Sequence, residues 1–493
     1  MKNYNFQKLE PKGVLTWFKK ICSIPHGTHN EAQLSKTLME ALNKAGCWVK
    51  QFSSGALLVR KAATKGFEKK PMICFQAHMD MVLVKEPYVK IDLLKEPIKP
   101  YYDSKDKCIK CDGTTLGSDD GVGVACIMEL MTGKYPHGPI EALITVCEEG
   151  DVGYCMNSLP QNVLKAKHMI NLDIDLPDRM YVASIGTMEV SFERKLKYLP
   201  IPKKTKTYHV SVSGLDGGHS GLMIHNPINN AIAFLSEALY SFAQEHNKIR
   251  LVSMDGGLLM NSIATKADFV VQIDPKDADE LKRHVQHAWN NARTLAQGLD
   301  KNGKVSVKPA KKQSKVACSV EETEKILFFY GFLPNGVYRM DITMKHVFAC
   351  GNIGVVKTAK DTIYTVCLPR SFSTPDLDRQ FNMIRYFGSQ AGMTNFKRLT
   401  HCPPWLTKSV ETSTIIQAWT KAFHKATGKY TFPARASGGL ETAELITKCP
   451  QLDEHCVAVG PRIREEHSTR ERVELDSIKE LWKTILQVLK EIK

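Results

Sequence analysis

The hydrophobic pattern changes character once along this chain and then changes back. Up to about residue 188, segments with apolar positions every three or four residues alternate with short continuous apolar runs. Residues 10–22 and 30–46 read as amphipathic helices. The second has Asn30 at the N-cap position, Gln33 three residues on, and Leu34, Leu38 and Leu42 along one face. Strands are expected at 48–52, 56–61, 71–77, 140–147 and 168–173, and the last three are apolar enough to lie buried. Residues 121–131 are apolar on nearly every side, the mark of a buried helix. Strands alternating with helices predict an α/β layer built on a central sheet.

From residue 189 strict alternation takes over. Segments 189–199 and 207–214 read as strands with one exposed side, 227–246 and 277–296 as helices, and 267–273 as a strand. The lysine-rich stretch 301–316 reads as an exposed connection, 333–336 as a turn, and 351–357 and 361–368 as strands. After residue 412 the pattern returns to helix, strand, helix, ending in an amphipathic helix at 475–491. At 493 residues the chain exceeds what one core supports. The expected organisation is a first domain of residues 1–188 and 398–493, interrupted by an α+β insert over 189–397.

Composition narrows the function classes. A 43% hydrophobic and 24% charged chain is an ordinary globular one. The net charge of +15 invites a nucleic-acid reading, but the lysines are dispersed, with modest clusters at 61–70, 203–206 and 304–315. No basic stripe is interleaved with stacking aromatics, so no nucleic-acid partner is expected. No window approaches the roughly 20 apolar residues needed to span a bilayer, so no membrane partner is expected either. The N-terminal segment lacks the apolar core of a signal peptide. The 14 cysteines are scattered, and Cys74, Cys126, Cys147 and Cys367 sit inside apolar runs as small hydrophobes. Cys108 and Cys111 form a lone CxxC on a short expected strand and read as incidental. A cytoplasmic location follows as the expectation.

The chemistry concentrates in a few places. Residues 113–123 set Asp119 and Asp120 between glycine-bearing segments just ahead of the buried helix, a turn that aims a carboxylate inward. A carboxylate so placed needs a cation or a donor. His78 ends one buried strand and shares a side with Asp80, either as an orienting pair or as two neighbouring groups of a site. Glu148 and Glu149 end a second buried strand, where one can ligate a metal while the other faces solvent or substrate. Asp173 ends a third, and His467 lies in a polar loop. Ends of buried strands are where open α/β sheets bind ligands. Together these groups suit a dinuclear metal site, with a carboxylate free to take and return a proton.

The ordered set of 76–82, 113–123, 145–150, 170–173 and 217–221 resembles the aminoacylase/dipeptidase family of dinuclear zinc metallopeptidases, most closely its aminoacyl-histidine dipeptidase branch. The likeness extends to 21–26, 334–337 and 459–461. It implies a central mixed sheet flanked by helices, interrupted by a lid domain at 189–397 through which the chain can dimerise. It implies a dipeptidase acting on substrates with a free C-terminal carboxylate, with an N-acyl amino acid deacylase or a carboxypeptidase as alternatives. A binding protein that has lost catalysis is a further alternative. By motif, His78 and His467 resemble ligands of separate ions, Asp119 the carboxylate that bridges them, and Glu149 and Asp173 the remaining ligands. Asp80 resembles the acid behind the first histidine and Glu148 the general base. The likeness also implies a cis Asp119–Asp120 peptide. In the lid, His219, Asn261 and Arg370 resemble substrate-binding groups, as does Glu441 further on. Two divalent ions are implied: zinc first, with manganese or cobalt also suited to these ligands.

The chain departs from the branch in three places. Ser437 stands where the branch has histidine before its Gly-Leu-Glu element. Arg464, Glu465 and Glu466 precede His467 where smaller or neutral residues are usual, and Ser184–Thr187 is less glycine-rich than the segment it resembles. These differences bear on an Xaa-His preference more than on the chemistry.

Overall fold

In a computed structural model describing residues 2–150, 152–246, 249–342 and 346–493, the chain divides by its internal contacts into two units. One comprises Met1–Ser184, Trp405–Ala436 and Leu440–Lys493; the other comprises Ile185–Pro404 with Ser437–Gly439.

The first unit is built on a nine-stranded mixed sheet among the described residues. Its centre is the strand Ile73–His78, buried at every position and lying parallel to Ile140–Thr145 on one side and His168–Asn171 on the other. Cys456–Ala458 continues the parallel set beside His168–Asn171. Burial of both faces explains why these strands read as unbroken apolar runs. The helix Ser118–Thr132 is buried on nearly all sides, and Lys12–Cys22 packs on it. The C-terminal helix Leu475–Glu491 packs on Thr414–Thr427. In the parallel register His78 lies opposite Thr145, and Gln76 lies opposite both Leu143 and Asn171. The carboxyl ends of three neighbouring strands are thereby level.

The helix expected at 30–46 runs from Ala32 to Lys44 but is not capped by Asn30. Glu31 takes the N-cap position without a side-chain cap bond, and the Asn30 amide donates to the Leu94 carbonyl at 3.0 Å. A long-range carbonyl outcompetes the local cap.

The second unit carries a mainly antiparallel sheet covered by the helices Ala231–His246, Ala278–Leu295 and Val320–Phe332. Its core includes Phe242, Phe269, Trp289 and Tyr330. The lysine-rich 301–316 stretch is not a plain connection: Lys304–Pro309 is an edge strand paired antiparallel with Lys206–Ser213. Val305 and Val307 pack against the core while the flanking lysines face outward, a charge pattern suited to a sheet edge. The helix Val320–Phe332 has an N-cap that the apolar pattern alone did not single out: the Ser319 hydroxyl accepts the Glu322 amide at 3.0 Å. No helix among the described residues is long and apolar enough to cross a membrane.

Candidate active site

His78 closes the central strand and is 1% exposed. Its Nδ1 lies 3.0 Å from the Asp80 main-chain carbonyl, to which it donates, so Nε2 is the nitrogen turned toward the acids. That Nε2 is 3.2 Å from an Asp119 oxygen and 3.6 Å from an Asp173 oxygen. The support from Asp80 thus comes through its backbone, with its carboxylate 3.5 Å from Nδ1.

The carboxylate of Asp80 has another task. Its Oδ1 accepts the Glu148 amide at 3.0 Å, and its Oδ2 accepts the Glu149 amide at 3.2 Å and the Thr28 hydroxyl at 2.9 Å. Glu148 and Glu149 do not end a strand with opposed side chains, as expected from 140–147. The strand stops at Thr145, and Cys147 adopts a left-handed backbone (φ +58°) that begins a turn. Both carboxylates then reach the His78 imidazole: ligand atoms of His78, Glu148 and Glu149 lie within 4.8 Å of one another. Glu31 holds the start of this turn, its Oε1 accepting the Cys147 amide at 3.0 Å.

The 113–123 segment supplies the other edge. Gly117 has φ +66°, and a Cβ there would meet the Met81 sulfur at 2.7 Å, so the turn requires glycine. The Asp119–Asp120 peptide is cis. The two aspartates then part. Asp120 is buried and accepts the Gly123 and His78 amides at 3.2 and 3.3 Å, tying the turn to the central strand. Asp119 turns into the cluster, its Oδ2 3.3 Å from His467 Nε2. His467 in turn lies 2.6 Å from Glu149 Oε1. That oxygen is buried yet has no partner in hydrogen-bonding geometry.

Two three-residue groups emerge, His78–Asp119–Asp173 and Asp119–Glu149–His467, each with ligand atoms within 4.8 Å and sharing Asp119. The electrostatics mark them as a cation site. Burial, with Asp173, Glu441 and Glu149 nearby, pushes the Glu148 carboxyl well above its usual range, opposed by His78. Burial and the Asp119 charge push Asp173 up to about 6. Burial works against Asp119 ionising, but hydrogen bonds with His467 and His78 hold its carboxyl far below the usual range. Burial lowers His78, and the carboxylates of Asp173, Asp119 and Asp80 more than reverse it. Asp119 and Glu149 raise His467 to about 11. So many buried acids around two imidazoles call for compensating positive charge, and imidazole with carboxylate is a donor set for divalent transition ions.

Glu441 requires a correction. It is 1% exposed, and its Oε2 accepts the Gln76 amide at 2.6 Å and the Thr145 hydroxyl. Asn171 continues the chain by donating to Gln76. Burial raises the Glu441 carboxyl to about 8. It is a buried acid packed into the sheet, not a group open to substrate.

In the second unit, the short ladder pairing His219 with Ser262 brings His219 beside Asn261, whose carbonyl accepts the Ser220 amide at 2.8 Å. Arg370 is buried; one Nη donates to the Thr187 hydroxyl at 2.9 Å, while its Nε has no partner. A Cβ on Gly221 would lie 3.1 Å from the His219 ring and 3.3 Å from the Arg370 guanidinium. The two groups therefore converge. Burial and the Arg370 charge lower His219, which stays neutral near pH 7. Ser437 pairs with His346, Nε2 to Oγ at 2.9 Å. No sequence signal had drawn His346 forward, because the pair joins residues far apart in the chain.

The fold and this set of acids and histidines define a peptidase class. The chain matches the model of peptidase family M20/M25/M40 over residues 74–491 and belongs to that family. It is 29% identical, over 489 residues and 98% of both chains, to the cytosol non-specific dipeptidase of Escherichia coli (strain K12). The crystal structure of aminoacylhistidine dipeptidase from Vibrio alginolyticus superposes with a TM-score of 0.89 at 27% identity, covering 99% of this chain and 98% of that one. Aminopeptidase PepT from Bacillus cereus shares the fold more distantly, with a TM-score of 0.56 at 16% identity over 97% and 98% of the two chains.

Proposed function

We propose that this chain is a metal-dependent dipeptidase that cleaves the peptide bond of dipeptides bearing a free C-terminal carboxylate. The observation that carries this reading is the pair of three-residue ligand groups sharing Asp119, with the Glu148 carboxylate in reach of the same imidazole. Family membership and the two dipeptidase relatives support it.

In this reading His78, Asp119 and Asp173 hold one divalent ion, and Asp119, Glu149 and His467 hold the other, with zinc preferred over manganese or cobalt. Divalent ions held by these residues would supply polarisation of the scissile carbonyl and a water that is nucleophilic near neutral pH. Glu148 takes the proton of the attacking water on its carboxylate and passes it to the leaving amine. Asp80 fixes the His78 tautomer and holds the Glu148 turn by two amides. Arg370 receives the substrate carboxylate, for which its unpaired Nε is free. His219, beside Arg370, and Asn261, beside His219, are the further substrate-binding groups of the second unit in this reading. A cytoplasmic location fits the lack of a membrane-crossing helix among the described residues and the name of the Escherichia coli relative. Self-association through the second unit is supported by its exposed Phe328, Phe332 and Phe387.

The decisive experiment strips the protein of metal and restores zinc, manganese or cobalt in turn. Hydrolysis is then compared on dipeptides, including Xaa-His, and on N-acyl amino acids and longer peptides. Metal-dependent hydrolysis of dipeptides is expected; activity on N-acyl amino acids or longer peptides alone would replace this reading by a deacylase or a carboxypeptidase.

A further inference from the structure

One buried carboxylate beside this site belongs to neither ligand group. Glu471, 2% exposed, lies four residues after His467 and accepts four hydrogen bonds from a single short segment. Its Oε1 takes the Ser118 amide at 2.7 Å and the Ser118 hydroxyl at 2.6 Å; its Oε2 takes the Leu116 amide at 2.8 Å and the Gly117 amide at 3.1 Å. Those donors immediately precede Asp119, in the turn that leads into the buried helix. The strand that follows, Arg472–Glu474, pairs antiparallel with Cys108–Lys110, the strand that leads into the same turn. Both ends of the link are therefore anchored.

The two ligand groups are not equally supported. His78 and Asp173 follow directly from central strands, whose spacing the sheet sets. His467 sits in a loop with a left-handed backbone (φ +59°), and 47% of its side chain is exposed. The Glu471 collar ties the chain just beyond His467 to the turn that bears Asp119, while the Ile463–Arg464 pairing with Arg472–Glu474 and the Thr469–Glu86 bond hold the rest of that loop.

We propose that Glu471 is a positioning residue that locks the turn bearing Asp119 to the loop bearing His467, and so sets the affinity of the ion held by Asp119, Glu149 and His467. The inference rests on the two-ion reading above. It assigns Glu471 no contact with the substrate.

Glu471→Gln tests it. An amide nitrogen presented to these N–H groups loses two of the four bonds and faces donor with donor. Zinc uptake is measured by equilibrium dialysis with metal analysis, alongside a thermal melt to establish folding. Wild-type protein is expected to take up two ions per chain. The variant is expected to bind one as before and the other tenfold or more weakly, the scale seen when supports of ligands are removed. Its kcat should fall at limiting zinc and recover when zinc is raised, a response that loss of stability alone does not produce. Wild-type affinity for both ions in a folded variant overturns the proposal. Should Glu471→Gln not fold, Ser118→Ala decides, since it removes one donor and no charge: a severalfold weaker second ion is expected, and unchanged affinity overturns the proposal. Fewer than two ions on the wild-type chain would instead overturn the site reading itself.

Discussion

The two units handle charge in opposite ways. In the first, four carboxylates and two imidazoles converge at strand ends and the turns beside them, and their shared excess of negative charge makes a place for cations. In the second, a buried guanidinium with an unpaired Nε lies close to a neutral imidazole, which makes a place for an anion. In the reading proposed above this is a division of labour: one unit carries the groups for bond cleavage, and the other carries groups suited to recognising a carboxylate. Each is built from charges that would be costly to bury without their counterpart.

The largest test of that division is removal of metal. A chelator should reduce dipeptide hydrolysis to background, and added zinc should restore it; full activity in metal-free protein would break the comparison at its first term. Next comes Glu148→Gln, expected to lower kcat by about 10²–10⁴ while KM and bound metal change little, as loss of a proton-transfer group does. Initial-rate kinetics with metal analysis checks this, and an unchanged kcat removes Glu148 from its role. Arg370→Ala acts on the second unit. It should lower kcat/KM by roughly 100-fold, about 3 kcal/mol, mostly through KM, and have far less effect on dipeptide amides, which lack the carboxylate. Equal losses on both substrates would detach the anion site from recognition.

The smallest expected effect is on pH stability. His168 begins the strand whose far end leads to Asp173, and its ring meets His455 edge-on. Burial first, and His455 second, lower its pKa to about 4. The unfolded chain, with an ordinary imidazole near 6.5, therefore binds the proton more readily. This contribution to stability is present above pH 6.5 and is lost as pH falls toward 4. Melting temperatures across that window should decline less steeply in His168→Phe than in the wild type; parallel curves would exclude the assignment.

Much of this was legible before folding was considered. The apolar runs ending in His78, Glu148 and Asp173 could be read because strands buried on both faces are apolar throughout, so a charged residue at the end stands out. The second unit was legible as strands and helices, yet Lys304–Pro309 was hidden because lysines at a sheet edge look like a solvated connection. Glu441 was placed among the substrate-binding groups by the family likeness, and only its bonds to Gln76 and Thr145 show it to be interior. Glu471 carried no signal at all. Its partners are more than three hundred residues away, and nothing local in 465–471 separates it from its charged neighbours.

The sequence alone determined which residue types lie at the strand ends and in the 113–123 turn, because periodicity and glycine act locally and leave a local record. It also determined that the groups were of a kind that binds metal. Only the tertiary structure decided that the 147–149 turn aims both glutamates at one imidazole, that Asp119 faces His467 while Asp120 faces the core, and that Arg370 keeps an unpaired nitrogen. Those outcomes depend on parallel register, on turns held by distant carboxylates and on burial, which are properties of segments meeting in space and have no counterpart in the order of residues along either one.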